Sequence, residues 1–287
     1  MKEYYFLFVI AFIFTFFASI QDLRKREVAN WLNFSLIAFT LTYRVFYSII
    51  KNDFKFIIFG LAGFGIFFIL SHIFYYSKAF AGGDAKLLMA LGVILPYSDI
   101  KSFIYLPLLF VFLLFLIGAG YSIVYSFFIV YENKNKFIKE FKHYLRRYKF
   151  IAGVSLILFV ISLLFLKSNS ALLSLTILLL MPILFIYTKS LEKSMIKIYN
   201  YNKLTEGDWL VKDVVISRGL TIKRTVHGLT LKDIKLLKKY RKNVLIKEGI
   251  PFVPAFLLTL IVLGVVYFFN LKFEIFSFLN MSRIIFS

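Results

Sequence analysis

Residues 56–77 read FIIFGLAGFGIFFILSHIFYYS, twenty-two residues without a charged side chain. A helix of about 20 apolar residues is what crosses the ~30 Å hydrocarbon layer of a bilayer. Inside that layer every backbone N–H and C=O must be bonded within the protein, so such a run is a helix rather than an open strand. Similar runs recur at 4–20, 31–50, 85–97, 103–131, 150–166, 171–188 and 251–270, which makes eight candidate spans. The run at 85–97 is the odd one, since its length as a helix reaches only ~20 Å. Gly60, Gly63 and Gly65 offer close helix approach in the third span, or are ordinary membrane-helix glycines.

Composition agrees. The chain has 287 residues, 60% of them hydrophobic, and a mean hydropathy of +0.81, against about 45–50% apolar residues in a soluble domain. The short alternating segments of an outer-membrane barrel are absent. A net charge of +20 in a soluble protein would point to nucleic acid. Here Lys and Arg gather between apolar runs, where cationic loops orient a membrane protein, and no nucleic-acid partner is expected. The absence of cysteine removes disulfides, cysteine nucleophiles and thiolate metal sites. His72, His143 and His227 are scattered without ligand spacing, so neither metal nor cofactor is expected. Lys2, the apolar stretch after it and Ala18-Ser19-Ile20 could pass for a signal peptide. The length of the stretch and the spans that follow favour an uncleaved first span.

These readings predict an all-α polytopic membrane protein of about eight transmembrane helices with a small α+β cytoplasmic appendage. Residues 1–131 form a catalytic membrane domain of about five helices, 132–149 a basic cytoplasmic linker, and 150–188 a membrane helical hairpin. Residues 189–250 form the small domain, and 251–287 a last transmembrane helix and tail. In the small domain, 207–211 and 214–216 read as strands. Leu231–Tyr240 reads as an amphipathic helix, with Thr230 and Asp233 as its capping box. With the N-terminus outside and every segment crossing, 27 of the 35 Lys and Arg fall on the inner side. That orientation satisfies the positive-inside rule. Arg44, inside the second span, should snorkel or pair with an acid such as Asp53.

Two carboxylates stand at segment ends. Asp22 follows the first span in Gln21-Asp22-Leu23-Arg24-Lys25-Arg26, and Asp84 closes Ala81-Gly82-Gly83-Asp84 before Ala85-Lys86-Leu87-Leu88. Two crossings separate them, so they share one face of the membrane, the cytoplasmic face by the charge distribution. Two close carboxyl groups cannot both ionise and hold one proton between them, the arrangement by which one accepts a proton from water while the other donates to a scissile carbonyl. The bland reading pairs Asp22 with Arg24 and Lys25 and leaves Asp84 as a helix cap. A transporter using the same aspartates for proton or cation coupling, or a membrane scaffold presenting 189–250, remains open on these residues alone.

Asp22 with Asn30 downstream, and Gly82-Gly83-Asp84-Ala85-Lys86-Leu87-Leu88, resemble the archaeal prepilin/preflagellin peptidases, aspartic membrane peptidases of the type IV prepilin peptidase family. The C-terminal part is similar to the archaeal branch through Glu206-Gly207-Asp208, Gly228-Leu229-Thr230 and Glu248-Gly249-Ile250-Pro251-Phe252-Val253-Pro254. Ala81 stands where the family motif opens on glycine, and Val28-Ala29-Asn30 lacks the proline of its usual triplet. The resemblance implies an aspartic endopeptidase of the cell membrane that needs no cofactor, with Asp22 and Asp84 catalytic. Gly82, Gly83, Lys86, Asn30 and Glu27 would position substrate. Its partners would be the lipid bilayer and prepilin- or archaellin-like precursors with a short, basic class III-type leader. Glu27, Asp208 and Asp213 are candidates to receive the leader's positive charge. Oligomeric state is not read from the sequence.

Overall fold

A computed structural model describes residues 2–164, 179–217, 220–225 and 228–268. The expected span at 171–188 lies outside the described residues up to 178, as does the tail from 269. The chain divides into two compact units, one of residues 1–123 with 250–287, the other of residues 124–249.

In the first unit, α1 (Lys2–Lys25), α2 (Asn30–Lys51), α3 (Lys55–Tyr76), α4 (Gly82–Gly92) and the first part of α5 (Ile100–Glu132) are joined by α10 (Val253–Phe268). Helices α1, α2, α3 and α5 are long and apolar enough to cross a membrane. Large apolar side chains cover their outward faces, Ile50, Ile58, Ile69 and Leu108 among them, as a lipid-facing surface requires. The chain is an integral membrane protein. The number of spans is smaller than expected among the described residues: four, with α7 (Lys149–Leu164) and α10 apolar but only 16 residues each, about 24 Å.

α4 explains the odd fourth segment. It begins beside the α1–α2 link and ends after 11 residues, about 16 Å on. Residues 93–97 continue as irregular, fully buried chain to Tyr97. The carbonyl of Tyr97 accepts a hydrogen bond from the Tyr4 hydroxyl at the opposite end of the unit (2.8 Å). Irregular backbone at membrane depth is tolerated only where protein satisfies it. Arg44 does so here. Fully buried, it donates from Nε to Val93 O (2.7 Å), from Nη2 to Leu95 O (2.9 Å) and from Nη1 to Phe56 O (2.6 Å), with Phe56's ring 4.4 Å from the guanidinium carbon. The expectation that Arg44 snorkels or pairs with Asp53 is thereby corrected. A helix ending inside the bundle leaves carbonyls without partners, and they claim the cation. Gly60 and Gly63 admit this packing: a Cβ on Gly60 would enter the Arg44 side chain, and one on Gly63 would lie 2.5 Å from Gly92 O. Gly65 faces open space.

In the second unit, residues 134–147 of the expected basic stretch 132–149 form a helix, α6 (Lys134–Arg147), packed on α8 (Met181–Ser194). Phe137 is buried there and stacks edge-on to Tyr187 at 5.5 Å, while the cations take the open side. Beyond α8, β1 (Ile196–Tyr199) pairs antiparallel with β4 (Val244–Lys247), and β2 (Val214–Ser217) pairs with β3 (Leu220–Ile222). α9 (Leu231–Lys239) begins at the expected capping box: Thr230 Oγ1 accepts from Asp233 N (3.2 Å) and Asp233 Oδ2 from Thr230 N (2.9 Å). Leu229, Leu237 and Ile246 lie in its core. The strand expected at 207–211 reduces to a bridge from Leu210 to Ile246. Gly207 instead turns with positive φ against Gly228, their segments joined by Gly207 N to Leu229 O and Leu229 N to Asp208 O, both 2.9 Å. A side chain at Gly228 would run into the Gly207 backbone, and its φ of 75° suits glycine.

Candidate active site

The candidate residues gather at the end of the first unit where α1 stops. α1 terminates at Arg26, whose φ of 56° is left-handed and whose N–H returns to Asp22 O at 2.7 Å. Asp22 therefore sits in the last turn of α1. Its side chain is buried, and Oδ2 accepts from Val253 N at 2.9 Å, with the Phe252 N–H beside it. The neighbouring Gln21 accepts from Ala29 N through Oε1 (3.1 Å), which ties the α1–α2 link down. The simple pairing of Asp22 with Arg24 and Lys25 is not what forms. Arg26 is the cation whose charge acts on Asp22.

Asp84 is the third residue of α4, and its Oδ2 accepts from Ala81 N at 3.2 Å. That is half of a capping box, so the capping reading is also realised. The carboxyl is nonetheless enclosed by protein, although the residue keeps some open surface. Burial first, and the charge of Asp22 second, push it up to about 7 against the opposing Ala81 N–H. Burial and the charge of a second carboxyl thus both disfavour ionisation of Asp84.

The remaining residues frame this corner. Gly83 lies against Val28, with space for a Cβ only at contact distance (3.4 Å), and its carbonyl accepts from the buried Asn33 amide at 3.4 Å. Lys86 Nζ donates to Asn30 Oδ1 at 2.6 Å, which joins α4 to α2. Gly82 approaches Tyr75. Glu27 is exposed in the link between α1 and α2. Asp208 and Asp213 belong to the second unit, where they accept from Thr205 N and Arg224 N and so fix turns. Among the described residues no group of acidic and His side chains could hold a metal ion. Sequence reasoning gave Phe252 and Val253 only as part of the C-terminal resemblance, with no role at the site, and did not single out Asn33. The signal for Asn33 was its place one helical turn after Asn30 on α2; for the other two it was the Pro251–Pro254 bracket around a helix start.

Residues 9–123 match the type IV leader peptidase family, so the resemblance read from Asp22 and the Gly82–Leu88 motif is shown. The matched segment holds both aspartates and the five residues grouped around them, and it stops before α10. The preflagellin peptidase of Methanocaldococcus jannaschii is 32% identical over 109 residues, covering 35% of this chain and 46% of that protein. The preflagellin peptidase of Methanococcus maripaludis is 28% identical over 135 residues (44% and 58%). The prepilin peptidase EppA of Methanothermobacter thermautotrophicus is 29% identical over 154 residues (49% and 40%). The chain spans about half the length of the curated relatives it matches.

Proposed function

We propose that this chain is a membrane aspartic endopeptidase of the type IV leader peptidase kind, removing the short basic leader from prepilin- or preflagellin-like precursors. Cleavage takes place at the cytoplasmic face, with the N-terminus of the chain outside. Asp22 and Asp84 form the catalytic pair. The ionised carboxylate takes a proton from water as the water oxygen bonds to the scissile carbonyl carbon, and the protonated partner gives its proton to the carbonyl oxygen. The tetrahedral diol then collapses: the C–N bond breaks, the amine leaves with a proton, and the leader departs as a carboxylic acid. Gly82 and Gly83 leave room for the substrate backbone, while Lys86 with Asn30 holds the first turn of α4 against α2. Glu27, exposed beside the pair, offers negative charge to a basic leader.

What supports this reading is that Asp22, buried in the last turn of α1, acts by its charge on Asp84 at the start of α4, which burial and that charge push up to about 7. The family match contains both residues. A coupling transporter keeps one feature on its side, the broken crossing at α4. The two part company in one assay. Membranes carrying the protein are incubated with a prepilin-like precursor bearing a short basic leader, and the shortened product is followed on gels. The wild-type chain should cut, and Asp22→Asn and Asp84→Asn, expressed at equal level, should not, because an amide cannot carry the proton. Product formed by either variant at the wild-type rate would falsify the dyad.

A further inference from the structure

We infer that the amino end of α10 is a positioning element of the active site: the backbone N–H of Val253 holds the Asp22 carboxylate in one orientation. The inference rests on the proposed role of Asp22.

The hydrogen bond is buried, 2.9 Å long, and joins residues 231 positions apart. Asp22 lies in the last turn of α1, where its side chain would otherwise be free to swing among rotamers. Val253 is the first residue of α10, and its N–H is one of those a helix leaves without an internal acceptor. Each group therefore meets the other's unmet need in an interior where an unpaired polar atom is costly. The charged groups acting on Asp22 or acted on by it are Arg26, just past the end of its helix, and Asp84 from α4. α10 carries no charged side chain, so what it offers Asp22 is directional. The body of α10 supplies rigidity. Val253, Ala255, Phe256, Leu260 and Leu263 are buried, and α10 packs along α1. Phe252 is seated over Gly118 of α5, where a Cβ would run into its ring. α10, which supplies the Val253 donor, lies outside the segment that matches the family.

A proline at the first position of a helix is tolerated, since the N–H it lacks has no intrahelical role. Val253→Pro therefore removes the donor while leaving α10 its start between Pro251 and Pro254. Val253→Ala keeps the donor and shortens the side chain. Loss of one hydrogen bond to a charged group corresponds to roughly a ten-fold effect or more. In the leader-cleavage assay, Val253→Pro should lower kcat about ten-fold with KM unchanged, and Val253→Ala should restore it. If the proline reduces the yield of folded protein, 2-hydroxyisovaleric acid placed at 253 by nonsense suppression replaces the N–H with an ester oxygen at almost no steric cost. The same fall in kcat is expected. A wild-type kcat in the proline or ester variant overturns the inference, and so does an equal fall in Val253→Ala. Asp22→Asn is run alongside. Cleavage that survives it removes the catalytic reading of Asp22, whereas cleavage lost in Asp22→Asn but intact in Val253→Pro removes only the role given to α10.

Discussion

Alanine is the better helix former, so Gly60→Ala in the middle of α3 would by propensity gain about 1 kcal/mol. The packing predicts the opposite. A Cβ at residue 60 would stand 2.7 Å from Arg44 Nε and 3.2 Å from Cζ, and would overlap Cδ. Arg44 has little freedom to retreat, because its three nitrogens are committed to Val93 O, Phe56 O and Leu95 O at 2.6–2.9 Å. Making room breaks at least one charge-assisted bond, about 1.5–3 kcal/mol, and adds overpacking of about 1–3 kcal/mol. After the propensity gain, a net destabilisation of about 1.5–5 kcal/mol remains. For a unit of this length that lowers Tm by on the order of 3–20 °C, measured by thermal unfolding of the detergent-solubilised protein. The cause is separable by a double-mutant cycle: in an Arg44→Met background the same Gly60→Ala change should lose most of its penalty. Unaltered or raised stability in Gly60→Ala, or an equal penalty with and without Arg44, refutes the reasoning.

Asp84 gives a pH-dependent expectation. Its folded-state carboxyl titrates near 7 because burial and Asp22 disfavour the charge, whereas an unfolded aspartate titrates near ~4. Folding thus favours the neutral acid, and rising pH withdraws stability progressively between about 4 and 7. The Tm of Asp84→Asn relative to wild type should climb across that window and level off above it; a difference that does not vary with pH counts against the buried carboxyl. Gly63→Ala should destabilise, since its Cβ would meet Gly92 O at 2.5 Å and Tyr97, while Gly65→Ala, facing open space, should not. Equal stability of these two variants in the same unfolding assay would remove the α3–α4 contact as the reason for glycine.

Legibility in the sequence followed the range of the physics. The long apolar helices and the capping box at Thr230 are local, so hydropathy and a short residue pattern suffice to find them. The shortness of the fourth segment was visible too, but not its remedy. Nothing around Arg44 announces that a helix elsewhere will end beside it and need donors. The same holds for Asp22. Its cationic neighbours in sequence suggested an interfacial pair, while a hydrogen-bond donor to it, Val253 N, waits beyond the entire second unit. The cations of 134–149 masked a helix because charge density reads as solvated chain, although Phe137 and Phe141 already stood at helical spacing.

The 231-residue bond between Asp22 and Val253 also has a bearing on synthesis. Both aspartates emerge from the ribosome early, among the first hundred residues, yet the group that steadies Asp22 is made 231 residues after it. Until translation passes residue 253, a nascent chain can insert α1 to α5 but has no α10 to lay along α1. Completion of the corner that holds Asp22 is thereby timed to α10, and any premature stop within residues 124–249 leaves Asp22 without the Val253 donor.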